Sequence, residues 1–215
     1  MSNRSHDGVF VVFEGIDGAG TTTQSERYSA HLRGKRRIVH VTHEPSGGPV
    51  GSLIRLILTH RLTFPTTRHA ETMALLFAAD RLDHAEAEVA PHLRDGTVVV
   101  SDRYDLSSLA YQSATTDGDA AEMVAWIRAL NRYALRPDVT VVLDVSAEVA
   151  AARVRNRGGA RELFDDHDLQ TRLARAYREA DALVPGDRVV HVDGNASPEK
   201  VHDDVVAALA PFVEG

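Results

Sequence analysis

An apolar run, Val9–Glu14, passes directly into Gly15-Ile16-Asp17-Gly18-Ala19-Gly20-Thr21-Thr22 and then into a helical pattern. Few arrangements use the order strand, glycine loop, helix. Gly15, Gly18 and Gly20 let successive backbone N–H groups turn toward one point, and the start of the helix adds partial positive charge. The segment therefore predicts a phosphate cradle with Thr22 at the position of a Mg²⁺-binding hydroxyl. One element departs from the pattern: Thr21 occupies the place of the lysine. On this segment alone a tight strand–helix turn without a ligand stays open as the alternative.

The rest of the chain repeats the alternation. Apolar β-rich runs at 9–14, 37–42, 97–101, 139–144 and 188–193 are separated by helical patterns at 22–33, 50–58, 67–94, 120–133, 147–157, 169–183 and 198–210. The runs are nearly continuous in apolar residues, as expected of parallel strands covered on both faces. The prediction is an α/β fold, a five-stranded parallel sheet flanked by helices, in one domain over residues 1–215. Pro91 should kink or end the third helix. The charged stretch 156–168, with Gly158 and Gly159, is either a solvated connection or a lid over a cleft.

Composition removes several functions. With no cysteine in 215 residues, disulfides, thiolate metal sites and cysteine nucleophiles are excluded, and a cytoplasmic location is the default expectation. A net charge of -7 disfavours coating nucleic acid, and no apolar run is long enough for a membrane helix. The polar start, residues 1–8, is too short for a signal peptide and is expected to fray. Of 24 basic residues only Lys35 and Lys200 are lysines, which leaves 22 arginines. Whatever charge Thr21 fails to supply must come from arginine.

Other segments sit where a doubly wound sheet binds ligands. Asp102-Arg103-Tyr104 follows the third strand, so an arginine that neutralises a phosphoryl group and an aspartate that holds Mg²⁺ emerge at its carboxyl end. His43-Glu44-Pro45-Ser46-Gly47-Gly48 follows the second strand and reads as a fixed loop at the cleft edge or as a plain surface turn. Phe77 and Arg81 lie at i and i+4 of one helix. They suit either a pyrimidine base or a core phenylalanine beside a salt-bridged arginine.

Taken together these segments resemble bacterial thymidylate kinases along nearly the whole chain. The match is carried by 13–20, Glu44-Pro45, 77–81, Asp102-Arg103-Tyr104 through Tyr111-Gln112, 137–145 and the arginine-rich 153–161, in family order. The resemblance implies a P-loop kinase that transfers the ATP γ-phosphoryl group to dTMP with Mg²⁺, acting as a homodimer. It implies ATP binding by Gly15, Ile16, Asp17, Gly18, Ala19, Gly20, Thr21 and Thr22, with Thr22 and Asp102 at the metal. For dTMP it implies Phe77 against the base, Arg81 on its edge and Ser108 and Tyr111 beside base and sugar. Asp17 would face the 3′-hydroxyl, Glu44 would line the cleft and Arg55 would reach the monophosphate. Arg103 would bridge phosphates, and because Gly18 stands where some members carry an arginine, Arg157 and Arg161 of the lid would supply that charge.

Besides Thr21, His43 stands where the family usually has arginine and Ser46 where it has a first glycine. Two further readings stay open. One is a nucleotide-binding protein of this fold with little turnover, which the loss of the lysine suggests. The other is a related nucleoside or nucleotide kinase with a different acceptor.

Overall fold

The computed structural model describes residues 7–157 and 167–213. Five strands form one sheet: β1 (Val9–Glu14), β2 (Val39–His43), β3 (Val98–Asp102), β4 (Val139–Asp144) and β5 (Val189–Asp193). Their order is β2-β3-β1-β4-β5, with every pairing parallel. The register sets Phe13 beside Asp102 and His43 beside Asp102 on its other side, so the carboxyl ends of β1, β2 and β3 finish level. The chain leaves β1 for β2 and leaves β3 for β4, so the two connections run in opposite directions and open a crevice at the carboxyl ends of β1 and β3.

The sheet is covered by α1 (Thr21–Gly34), α2 (Pro49–Leu58), α3 (His69–His84), α4 (Ala90–Arg94), α5 (Asp105–Thr115), α6 (Ala120–Leu130), α7 (Ala147–Arg157), α8 (His167–Arg178), α9 (Ala180–Leu183) and α10 (Pro198–Val213). All six residues of β1 are buried. Val9, Val11 and Phe13 join a core with Tyr28 and Leu32 of α1, while Phe10 and Val12 pack with Val89, Leu93 and Tyr104. Side chains alternate across a strand, so burial of both sets explains why β1 reads as an unbroken apolar run.

Two local departures from the sequence reading have physical causes. The expected helix over 67–94 is split: α3 ends at His84, a π-helical turn spans Ala85–Val89, and Pro91 falls in the first turn of α4. Proline lacks an N–H and clashes with the carbonyl one turn back, and the wider π turn relieves both faults. The second departure is α5, which carries no expectation from the sequence. Among the described residues no helix is long and apolar enough to cross a membrane. Most of the 156–168 segment expected as a lid lies outside the described residues.

Candidate active site at the carboxyl ends of β1 and β3

After β1 the chain turns through Gly15–Gly20 and enters α1. Gly20 caps that helix in the left-handed conformation, with φ 97°, and among the described residues no atom beyond its chain neighbours lies within 4 Å of where its Cβ would stand. No side chain caps α1 and no acid occupies its first turn. The leading N–H groups thus have no side-chain cap among the described residues and a favourable dipole, as holding phosphate requires. Gly18 has φ 88°, and a Cβ there would meet the Ala150 carbonyl oxygen at 2.5 Å. An arginine at position 18 would need α7 to move, so any charge near the loop comes from another element.

Thr21 is buried, with its methyl group turned toward Gly15. Arg153 of α7 donates to the Ala19 carbonyl at 3.3 Å and to Ala196 at 3.2 Å, tying the loop to α7 and to the segment before α10. Thr22 donates its hydroxyl hydrogen to Asp102 Oδ2. The other oxygen, Asp102 Oδ1, is buried with no partner among the described residues. A hydroxyl and a carboxylate with an unspent oxygen form a donor set suited to a hard cation such as Mg²⁺.

Arg103 reaches the base of the loop. Its guanidinium donates to Gly15 O at 2.7 Å and to Asp17 Oδ1 at 2.5 Å, and it lies 5.6 Å from the centre of the Tyr111 ring. Its backbone has φ 75°, an unusual conformation for a side-chain-bearing residue. The Arg103 N–H donates to Phe13 O at 2.9 Å, and the Ser101 hydroxyl donates to Arg103 O at 2.8 Å. Directly below lies Glu14, fully buried at the end of β1. Burial pushes its carboxyl up to about 7, against the opposing pull of Arg103 and of hydrogen bonds from Ser107 and Tyr104.

Beside Arg103 opens a hollow of about 170 Å³. Asp17 of the phosphate loop, Arg103, Ser107, Ser108, Tyr111 and Gln112 line it together with Phe77, Glu44, Pro45 and Leu58. The walls are apolar apart from a few convergent polar groups, as small-molecule sites are. Gln112 is 1% exposed and its Oε1 accepts no hydrogen bond among the described residues. A buried amide with an unspent oxygen is costly unless a ligand completes it.

Several residues singled out from the sequence meet here: Asp17, Glu44, Phe77, Arg103, Ser108 and Tyr111 share the hollow, while Thr22 pairs with Asp102, the residue before Arg103. Arg81 stands beneath rather than on its wall. It is fully buried, pairs with Glu44 at 2.8 Å, and donates to Asn131 at 2.6 Å, Ser108 at 3.1 Å and Tyr104 O at 3.2 Å. Arg55 donates to the carbonyls of Pro45 at 2.8 Å and Ser46 at 2.6 Å, bracing the loop after β2. Ser46 fits its glycine-like position because its N–H and hydroxyl both donate to buried Asp80, at 2.7 and 2.6 Å. His43 is exposed. Arg161 and the side chain of Arg157 lie outside the described residues.

Sequence reasoning assigned no role to Gln112, Glu14, Ser107 or Tyr177. Gln112 follows Tyr111, Glu14 precedes Gly15 and Ser107 precedes Ser108, so these were legible as neighbours; what joins Glu14 to Ser107 and Tyr177 is contact across 93 and 163 positions.

Comparison with known proteins agrees with this geometry. A model of the family described as thymidylate kinase matches residues 13–205. A protein named probable thymidylate kinase from Pyrobaculum aerophilum is 40% identical over 209 residues, covering 95% of this chain and 97% of its own. The thymidylate kinase of Bifidobacterium longum is 39% identical over 199 residues, covering 91% and 94%. The probable thymidylate kinase of Pyrococcus horikoshii is 35% identical over 203 residues, covering 94% and 96%. Matched through strand, loop and cleft alike, the chain belongs to the thymidylate kinase family.

Proposed function

We propose that this protein transfers the γ-phosphoryl group of ATP to dTMP, giving dTDP and ADP. The observation that carries the reading is the continuity of two half-sites. Asp17 of the phosphate loop and Arg103, which follows the Thr22-paired Asp102, line the same hollow as Phe77 and Gln112. Phe77 offers a ring for stacking, and Gln112 Oε1 is an acceptor for the N3–H of thymine. Glu44 and Arg81 buttress that end of the hollow, and Tyr111 and Ser108 flank the sugar. Asp17 accepts from the sugar 3′-hydroxyl, and Arg103 stands between the acceptor phosphate and the transferring group.

In the reaction an oxygen of the dTMP phosphate attacks the γ-phosphorus while the bond to the bridging oxygen breaks toward ADP. Little covalent assistance is needed, so positioning and charge neutralisation supply the acceleration. Mg²⁺, held by Thr22 and Asp102, would offset charge on the donor phosphates. Arg103 acts from the acceptor side. Thr21 supplies no charge, and loss of one such electrostatic donor costs on the order of 10²–10³ in rate, which leaves a functional enzyme where arginines compensate.

Leu75 and Leu82, seven residues or about two turns apart on α3, are 51% and 37% exposed and Leu56 of α2 is 43% exposed. This apolar face supports a homodimer, and the protein acts in the cytoplasm on free nucleotides. The test of function is ADP release measured with dTMP, dUMP, UMP and thymidine as acceptors. Turnover highest with dTMP is expected. Turnover with thymidine but not dTMP, or nucleotide binding without any turnover, would refute the assignment.

A further inference from the structure

Glu14 makes contacts that a merely buried acid would not need. Its Oε1 accepts from the Tyr104 N–H at 2.9 Å and the Ser107 N–H at 3.1 Å. Its Oε2 accepts from the Ser107 hydroxyl at 2.6 Å and the Tyr177 hydroxyl at 3.2 Å. Those two hydroxyls lie 3.0 Å apart and each accepts from Arg103 Nη1, Ser107 at 3.3 Å and Tyr177 at 3.2 Å. The guanidinium and the carboxylate are thus joined through two hydroxyls, each with its oxygen turned to Arg103 and its hydrogen to Glu14. The Tyr104 N–H that Glu14 binds belongs to the peptide immediately after Arg103, whose φ is 75°.

We propose that Glu14 is a positioning residue for Arg103, holding both the strained turn and the two hydroxyls that grip the guanidinium, and that it does so in its ionised form. The proposal rests on the phosphoryl-transfer reading of the site. A protonated Oε2 must itself find an acceptor, and among the described residues its partners are the Ser107 and Tyr177 oxygens. The hydroxyl that accepts this proton must turn its own hydrogen away from Glu14, which reorients the oxygen that accepts from Arg103 and loosens the aim of the guanidinium. Ionisable groups around Glu14 are Arg103 from the β3–α5 turn, Tyr111 from α5 and Tyr177 from α8, with Asp17 of the phosphate loop beside Arg103 and Tyr111. Burial lifts the Tyr111 and Tyr177 phenols well above their ordinary range, so both remain hydroxyls while Glu14 titrates. Burial also brings the Glu14 transition near neutrality, to about 7.

Steady-state kinetics across about pH 5.5 to 9 test this with Glu14→Gln, Tyr177→Phe, Arg103→Ala and the double variant Glu14→Gln/Arg103→Ala. Glu14→Gln keeps the shape but turns a donor toward the hydroxyls. It should lower kcat roughly tenfold to a hundredfold while the KM values for dTMP and ATP move less than about threefold. The fall of kcat on the acid side should disappear in Glu14→Gln, and in the Arg103→Ala background the same change should have no further effect. Tyr177→Phe, which leaves the carboxylate in place, should lower kcat by about threefold to tenfold. An equal loss with and without Arg103 would make Glu14 a general structural residue and overturn the proposal. So would a wild-type kcat and acid limb in Glu14→Gln, or, should that variant not fold, a wild-type kcat in Tyr177→Phe. Wild-type turnover in Arg103→Ala would overturn the transfer reading itself and this inference with it; an inactive Arg103→Ala beside an unaffected Glu14→Gln overturns only the inference.

Discussion

Replacing Arg81 with methionine should unseat the floor of the nucleotide hollow. The guanidinium is fully buried and its charge is met by Glu44, 2.8 Å away and itself almost entirely buried. Methionine refills most of the volume, so the loss is electrostatic rather than a cavity. Removing one member of a buried ion pair costs about 3–5 kcal/mol, because the other charge is left without its partner. Here Glu44 keeps His84 at 3.3 Å, which places that contribution at the low end, about 3 kcal/mol. Asn131 Oδ1 and Tyr104 O each lose a donor, adding about 0.5–1 kcal/mol apiece. The sum, about 4 kcal/mol, should lower the urea midpoint by roughly 2 M at an m value of about 2 kcal/mol/M. Urea unfolding followed by far-ultraviolet circular dichroism measures it. Adding Glu44→Met to the variant removes the stranded charge and should recover about 2 kcal/mol or more, a non-additive pair. A midpoint shift under about 0.5 M, or strict additivity in the double variant, would show that the buried pair is not the floor's main support.

Three other outcomes are expected. Phe77→Ala and Gln112→Ala should each weaken dTMP by about 1–3 kcal/mol in calorimetric titration, leaving ATP affinity within a factor of about two; equal weakening of both nucleotides would dissolve the base-pocket assignment. Because the folded-state value of Glu14, about 7, lies above its ordinary 4.5, its stabilising contribution is complete below pH 4.5 and is lost as pH rises through 7. The stability of Glu14→Gln relative to wild type should therefore rise by roughly 3 kcal/mol between about pH 4 and 8 in paired urea titrations, and a flat difference would contradict the burial argument. Thr21→Lys restores an ammonium beside the donor phosphates and should raise kcat/KM for ATP about tenfold; an unchanged value would mean that the arginines already supply the full charge.

How much of this was readable before the fold was known depends on the range of the interaction responsible. Strands β1 and β4 have the bounds expected of them, because continuous burial writes itself into consecutive residues. The loop and the start of α1 are equally legible, since glycines and a helix start are local. Helix α5 is not. Its sequence, DLSSLAYQSAT, is rich in serine and threonine, which compete with the helical backbone for hydrogen bonds. Its first turn is instead anchored by Glu14, 93 positions before Ser107. Ser46 is the converse case: a departure from the family pattern that is absorbed by Asp80, 34 residues away. Arg81 shows the limit of spacing arguments, because i and i+4 set Phe77 and Arg81 on one helix face without saying that one reaches the hollow and the other lies beneath it.

The left-handed backbone of Arg103 has an evolutionary corollary. Glycine occupies that conformation with no steric cost, and asparagine with less than most residues, whereas other side chains bear about 1–3 kcal/mol of strain there. A library randomised at this position and screened only for heat resistance should therefore drift away from arginine, while one screened for nucleotide turnover should keep it. The two selections would pull a single codon in opposite directions, and the residue the chain retains records which of them has prevailed.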